Sequence, residues 1–365
     1  MGISIDLHTI ISVIAVLTLI IFIHELGHYT VAKLSGIKVT DFSIGFGPKI
    51  FSRKDKSGTE WKFCWIPLGG YIKLFGDADP TSTTSKDVKK LPKKERKHAF
   101  VTQNLLIKSA VVAAGPLANF LLSIVILASF FYVLGQPVSN NEITTIEKGS
   151  VAHKAGLLEG DKIIAVDGTD ISTFSDIQRY VLSHPDIELE FTIKRNDQVL
   201  VKKITPETLE ITDKFNNKVI IGKLGVGSSN FEYQKYNLVS SIGLATSETF
   251  KICALTLKAL GQIITGTRGT RDLGSIIKIT KYTAQSVQQG LITTLYFIAM
   301  FSINLGLINL LPIPPLDGGH LVFYAVEALF GEKICTSVRK YAIKIGFAFL
   351  IALMAFTIIN DIIHP

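Results

Sequence analysis

The sequence predicts a polytopic α-helical membrane protein: four transmembrane helices, a cytoplasmic membrane-associated β-sheet and an inserted α/β domain. Three observations carry this. Mean hydropathy is +0.37 over 365 residues, with 19% charged, below the roughly one quarter of an ordinary soluble domain. Four apolar runs, at about 5–32, 105–134, 285–311 and 341–359, each approach or exceed the ~20 residues that cross a bilayer as helix. Between them lie segments with strand-like alternation and Gly/Pro punctuation. A plain soluble globule and a disordered chain are both excluded. Cys64, Cys253 and Cys335 are far apart, so there is no disulfide framework and no paired-thiol metal site.

The first element, 1–36, is read as a retained span. No Lys or Arg precedes the apolar run Ile10 to Ile23, and the run continues into HELGHYTVAKL. A cleaved leader needs a basic start and a small-residue cleavage site. The opening MGISID also lacks the Ser or Thr that myristoylation needs at position six. Residues 37–77 read as a β-region: KVTDFSIGFGPKIF and EWKFCWIPLGGYIKLFGD alternate, and RKDKSGT makes the turn between them. Residues 78–104 read as a linker and 105–134 as the second span. A small α/β domain follows over 135–205. Residues 206–284 hold further strands and an amphipathic helix at 238–266. Glu248, Lys251 and Lys258 interrupt that helix, which predicts that it lies at the membrane surface or packs on the bundle. The third span and the loop after it occupy 285–320, and the fourth span with the C-terminus 321–365.

Charge orients the spans. Segment 31–108 carries sixteen Lys+Arg against seven Asp+Glu, whereas 135–284 carries eighteen against seventeen. The positive-inside rule places the first segment in the cytoplasm, and the second and both termini on the opposite face. The lysines of 86–97 lack interleaved aromatics. They suit an anionic lipid surface rather than nucleic acid, which is not an expected partner.

The chemistry concentrates in HELGH, residues 24–28. His24 and His28 stand four apart, so on a helix they share one face and can grip one zinc ion. Glu25 is then placed as a general base. Ionisable groups at a span's end are expensive and default to function. A catalytic zinc takes three protein ligands, so a third must come from another span. One region with suitable residues is AGPLANF at 114–120, which holds Asn119. The other is NLLPIPPLDGGH at 309–320, which holds Asn309, Asp317 and His320. Pro312, Pro314 and Pro315 break the helix there, leaving Asp317 on unwound chain that is tolerated where it lines a cavity. His320 is the rival ligand.

Together HELGH, AGPLANF and NLLPIPPLDGGH, with GFGP and PLGGYIKLFGD, resemble the site-2 protease family of intramembrane zinc metalloproteases, in its bacterial regulator-of-sigma-E form. The resemblance implies one Zn2+ per chain held by His24, His28 and Asp317, with Glu25 as catalytic base. It implies that Asn119 and Asn309 contact substrate or support the site, and that Tyr71 lies beside the substrate. The stretch GSVAHKAGLLEGDKIIAVDGTDI resembles a PDZ domain of the bacterial protease type, so 135–205 is expected to be a single PDZ domain. Enterobacterial relatives carry two in tandem. Leu273-Gly274-Ser275-Ile276 also stands where Ser-Gly-Pro is expected.

The implied activity is zinc-dependent endopeptidase cleavage of single-span membrane proteins. The substrates would be an anti-sigma factor after a first cut, or remnant signal peptides, in regulated intramembrane proteolysis. The implied setting is a bacterial inner membrane, with the active site toward the cytoplasm and the PDZ domain in the periplasm. The partners are the lipid bilayer, the substrate helix and a peptide end at the PDZ groove. A binding-only scaffold would have no use for Glu25. A zinc transporter would show repeated halves, and none is found.

Overall fold

The computed structural model describes residues 7–77, 92–212, 218–229, 231–266 and 274–363. Residues 78–91 of the expected linker lie outside the described residues. The chain divides into two compact units: one of residues 1–128, 242–260 and 269–365, the other of 129–241 and 261–268.

In the first unit, α1 spans Leu7–Leu34. Its apolar sequence holds no Pro, and its one Gly, Gly27, is needed for packing. The helix stops at Gly36, whose φ of +74° favours glycine. The Gly36 and Ile37 N–H groups return to the Lys33 and Ala32 carbonyls, capping the end. Strands β1 (Val39–Lys54) and β2 (Glu60–Leu74) follow. Both are long and bent, so they pair twice: Phe42 faces both Ile72 and Trp61, and 51–54 return along 60–63. Asp55 ties the turn to α1. It accepts the Ser57 and Thr59 N–H groups on one oxygen, and Tyr29 Oη and Trp61 Nε1 on the other. Burial opposes ionisation of this carboxyl, but these bonds outweigh it and hold it below the usual carboxylate range.

A short turn α2 (Lys93–Arg96) precedes α3 (Leu105–Val133), whose first turn is capped by Asn104 Oδ1. After the second unit come α6 (Leu238–Ile264), α7 (Ile276–Gln288), α8 (Leu291–Asn309), α9 (Asp317–Phe330) and α10 (Glu332–Ile363). The bundle core places Val13 and Leu17 against Ala284, and Val16 and Ile20 against Ile298. Asp361 fastens α7, taking the Ser275 N–H at 2.7 Å and the Lys278 ammonium at 2.9 Å. Among the described residues, five helices are long and apolar enough to cross a membrane: 9–34, 105–133, 238–264, 291–309 and 341–363. Four were expected. The fifth, α6, has the lowest mean hydropathy at 1.2. Its charges are spaced widely enough to leave an 18-residue window with at most two of them, so by length and composition it joins the other four.

In the second unit, β5 (Lys162–Val166), β6 (Thr169–Asp170), β7 (Leu189–Arg195) and β8 (Gln198–Ile204) form a sheet in the order β6-β5-β7-β8. A one-turn α4 (Val151–Lys154) precedes it. Helix α5 (Phe174–Leu182) begins with a Thr173–Asp176 capping box and lays Phe174, Ile177 and Val181 on a core with Ile163, Phe191 and Ile193. Asp161 is held by Arg195 through Nε at 2.6 Å and Nη2 at 2.8 Å. Of the strands of 206–237, two pair with each other and two find partners far back in the chain. β9 (Glu207–Thr212) pairs with β10 (Lys218–Lys223), β11 (Val226–Gly227) with β4 (Thr145–Ile146), and β12 (Phe231–Gln234) with β3 (Gln136–Ser139). Between α5 and 221–227 lies a cleft of ≈ 510 Å³, lined by Phe174, Ile177, Val181, Ile221 and Val226.

Candidate metal centre and active site

Helix α1 carries His24 and His28 on one face. Their Nε2 atoms come within 3.1 Å of each other. Asp317 Oδ2 stands 3.1 Å from His24 Nε2 and 3.5 Å from His28 Nε2. Among the described residues this is the one cluster of three or more such donors. Both histidines are buried at 8% exposure. Two imidazole nitrogens and a carboxylate oxygen this close could hold a metal ion between them. Zinc fits: with bonds of about 2.0–2.1 Å, a tetrahedron's edges are about 3.3 Å, and the three observed separations bracket that value. Beyond the two imidazoles, buried Asp317 Oδ2 has no hydrogen-bond partner, as suits an oxygen reserved for a metal.

Each donor is placed by close packing. Gly27 lets α3 approach, since a Cβ there would sit 2.3 Å from the Ala114 carbonyl oxygen. Gly115 leaves room for the His28 ring, whose Nε2 would lie 2.3 Å from an added Cβ. His28 Nδ1 meets the Val111 carbonyl at 2.8 Å. That carbonyl can only accept, so Nδ1 carries the proton and Nε2 is left bare. Asp317 is delivered by the break after α8. Helix α9 restarts at Asp317, in its first turn, where the helix dipole favours a carboxylate. Gly318 packs so tightly that a Cβ would meet the Leu310 and Leu311 carbonyl oxygens.

Glu25 lies within electrostatic reach of His24, His28 and Asp317, and its carboxylate interacts with the Ile72 main chain. Strand β2 is packed directly on it: a Cβ on Gly70 would come within 3.1 Å of Glu25 Cγ and of Ile21. Tyr71, the next residue, is 37% exposed and stacks on Phe46. Asn309 is half-buried at the end of α8. Asn119 is fully buried, with its amide 3.3 Å from His24 Nδ1. His320 stands outside the donor cluster; its Nδ1 pairs with Arg339 at 3.1 Å. Sequence reasoning overlooked the Val111 carbonyl, which leaves no mark in a sequence; it set Gly115 in a candidate site and the glycines around Tyr71 beside the substrate, without the packing of Gly115 on His28 and of Gly70 on Glu25. An isolated glycine inside an apolar helix or a strand signals such close approach.

Buried His/His/Asp donors beside a glutamate, at the end of a membrane-spanning helix, define a membrane-embedded metallopeptidase. The model of peptidase family M50 matches residues 12–353, and the chain belongs to that family, the site-2 protease type. A Rhizobium meliloti protein named as a zinc metalloprotease is 39% identical over 97% of this chain and 96% of its own length. One from Brucella suis is 38% identical over 97% and 95%. The metalloprotease MmpA of Caulobacter vibrioides is 30% identical over 97% and 95%. The chain is thus a zinc metalloprotease and a multi-pass membrane protein. Among solved structures, the PDZ domain of an SdrC-like protein from Listeria monocytogenes matches 25% of this chain and 88% of its own at 16% identity. Its TM-score of 0.20 carries no weight here.

Proposed function

We propose that the chain is an intramembrane endopeptidase that cuts the membrane helix of single-span proteins, with His24, His28 and Asp317 holding zinc and Glu25 acting as base. The observation that carries this is the convergence of the three donors beside Glu25 at the end of an apolar helix. Zinc held there supplies Lewis-acid activation of a water at neutral pH. Glu25 takes the proton from the attacking water and returns it to the leaving amine nitrogen. β2 packs at Gly70 against the Glu25 stem.

A substrate helix has its carbonyls tied up in its own hydrogen bonds and must unwind before attack. Residues 70–74 are paired with 39–44 on one side, and their other side suits strand addition by the unwound segment. That reading gives Tyr71 and Asn309 roles beside the substrate. The basic segment 31–108 puts this sheet and the active site on the cytoplasmic side of a bacterial inner membrane, with the second unit in the periplasm. There the second unit acts as a PDZ domain. Its cleft between α5 and 221–227 takes an extended peptide end, including one created by a prior cut. Anti-sigma factors and remnant signal peptides are the substrates this arrangement serves.

The test is co-expression with a single-span protein whose outer domain is trimmed to a stub and whose cytoplasmic end is tagged. Cleavage by the wild type and none by Glu25→Gln is expected. Equal cleavage by both removes Glu25 from the reaction.

A further inference from the structure

We infer that Asn119 is a positioning residue of the metal centre: its side-chain carbonyl accepts the His24 Nδ1 proton and so presents His24 Nε2 bare toward the metal. The inference rests on His24 being a zinc ligand. Asn119 is 0% exposed, so its amide is sealed from a substrate in the cleft. It sits on α3, 3.3 Å from His24 Nδ1, on the ring side opposite Asp317.

The tautomer that His24 needs decides the amide's direction. A histidine that gives Nε2 to a metal carries its proton on Nδ1 and needs an acceptor there. An amide offers an acceptor on one arm and a donor on the other, in nearly the same shape. With Nδ2 turned to His24, two donors would face each other and Asn119 Oδ1 is left buried with no partner. Turning the carbonyl to His24 gives that oxygen the Nδ1 proton. The two ligands are then supported alike, since His28 Nδ1 already donates to the Val111 carbonyl one helical stretch earlier on α3.

The rest of the surroundings hold Asn119 still. Ser123 Oγ donates to the Asn119 main-chain oxygen at 2.9 Å and to the Ala299 oxygen at 2.9 Å. Ser302 Oγ reaches the same Asn119 oxygen at 3.0 Å from α8. Two hydroxyls thus lock the backbone of one residue between α3 and α8. A fully buried amide packed this firmly has one accessible task, to orient the imidazole beside it.

The experiment measures Zn2+ affinity of the detergent-purified full chain by chelator competition, and the visible spectrum of the Co2+-substituted protein. Asn119→Leu keeps the shape and removes the acceptor; Asn119→Asp keeps the acceptor. Thr256→Val removes an interhelix bond, to Asn304 Oδ1 at 3.0 Å, that does not involve Asn119. Asn119→Leu is expected to weaken Zn2+ about 10- to 100-fold, the usual effect of losing an outer-shell partner, and to shift the Co2+ bands. Asn119→Asp and Thr256→Val are expected to hold Zn2+ as the wild type does. If Asn119→Leu does not elute as a single species, Asn119→Ala replaces it. Wild-type affinity in Asn119→Leu, or equal loss in the Leu and Asp variants, overturns the inference. His24→Ala separates the two levels: if it retains Zn2+, the ligand reading itself is wrong. If it loses Zn2+ while Asn119→Leu does not, only the role of Asn119 falls.

Discussion

The metal centre and the core of the second unit are organised in opposite ways. In the first, a few polar atoms are set into apolar helices, and each is placed by a contact of its own: Val111 for His28, Gly70 for Glu25, Gly318 for Asp317. In the second, a shared apolar core of Ile163, Ile177, Phe191 and Ile193 does the work, and polar groups such as Asp161 and Arg195 sit around it. The membrane-type region thus concentrates its information in single positions, and the aqueous-type region spreads it over alternating ones. Substitutions in the first are expected to abolish chemistry without unfolding the chain; those in the second should loosen a fold and leave the metal alone.

The largest effect tests the first half. Glu25→Gln should lower cleavage by at least about 100-fold, the contribution of a positioned base, with Zn2+ content by metal analysis unchanged. His24→Ala and Asp317→Asn should instead lose the metal. Next comes Gly115→Ala, whose new Cβ would crowd His28 Nε2. It is expected to lower Zn2+ occupancy several-fold, while hydrogen exchange over 162–204 stays as in the wild type. Phe191→Ala tests the other half: emptying that core should cost the second unit about 3–5 kcal/mol. Faster hydrogen exchange there, with normal Zn2+ content, is the expected pattern. Metal loss in this variant would break the contrast between the regions.

The smallest effect is electrostatic. Burial works against an ionised Asp161, and the Arg195 bonds and the Leu158 N–H more than compensate, so its carboxyl titrates below the usual range. A depressed native pKa means that the stabilisation is present above the unfolded carboxylate value of about 4. It is lost as pH falls from there through the native value. Asp161→Asn should flatten the acid limb of the second unit's stability curve, read by hydrogen exchange from pH 5 downward.

The same contrast explains what could be read in advance. HELGH stood out because histidine and glutamate at the end of an apolar run are costly and need a reason. Asp317 is preferred to its rival His320 because two glycines separate His320 from the rigid segment, while the prolines of 312–315 erase the helical period that would have aimed either. Asn119 was read as a substrate or support residue; its own motif does not say which arm of the amide faces which helix. The strands of 206–237 looked like strands but had no visible partners. β12 joins β3 across almost a hundred residues, and local alternation carries no record of so distant a pairing. Helix α6 was read by its charges as a surface element, whereas its length and windowed hydropathy group it with the spans.

The donor set has one more consequence, which concerns time. Two of the three donors and Glu25 belong to residues 24–28, but the third donor waits until residue 317 of 365. Through most of synthesis the growing chain carries Glu25 and two of the three donors without Asp317. Two histidines alone hold zinc poorly and leave its geometry open. The order of the sequence therefore works as a biosynthetic safety catch: the donor set is complete only when α8 and the turn after it have been delivered.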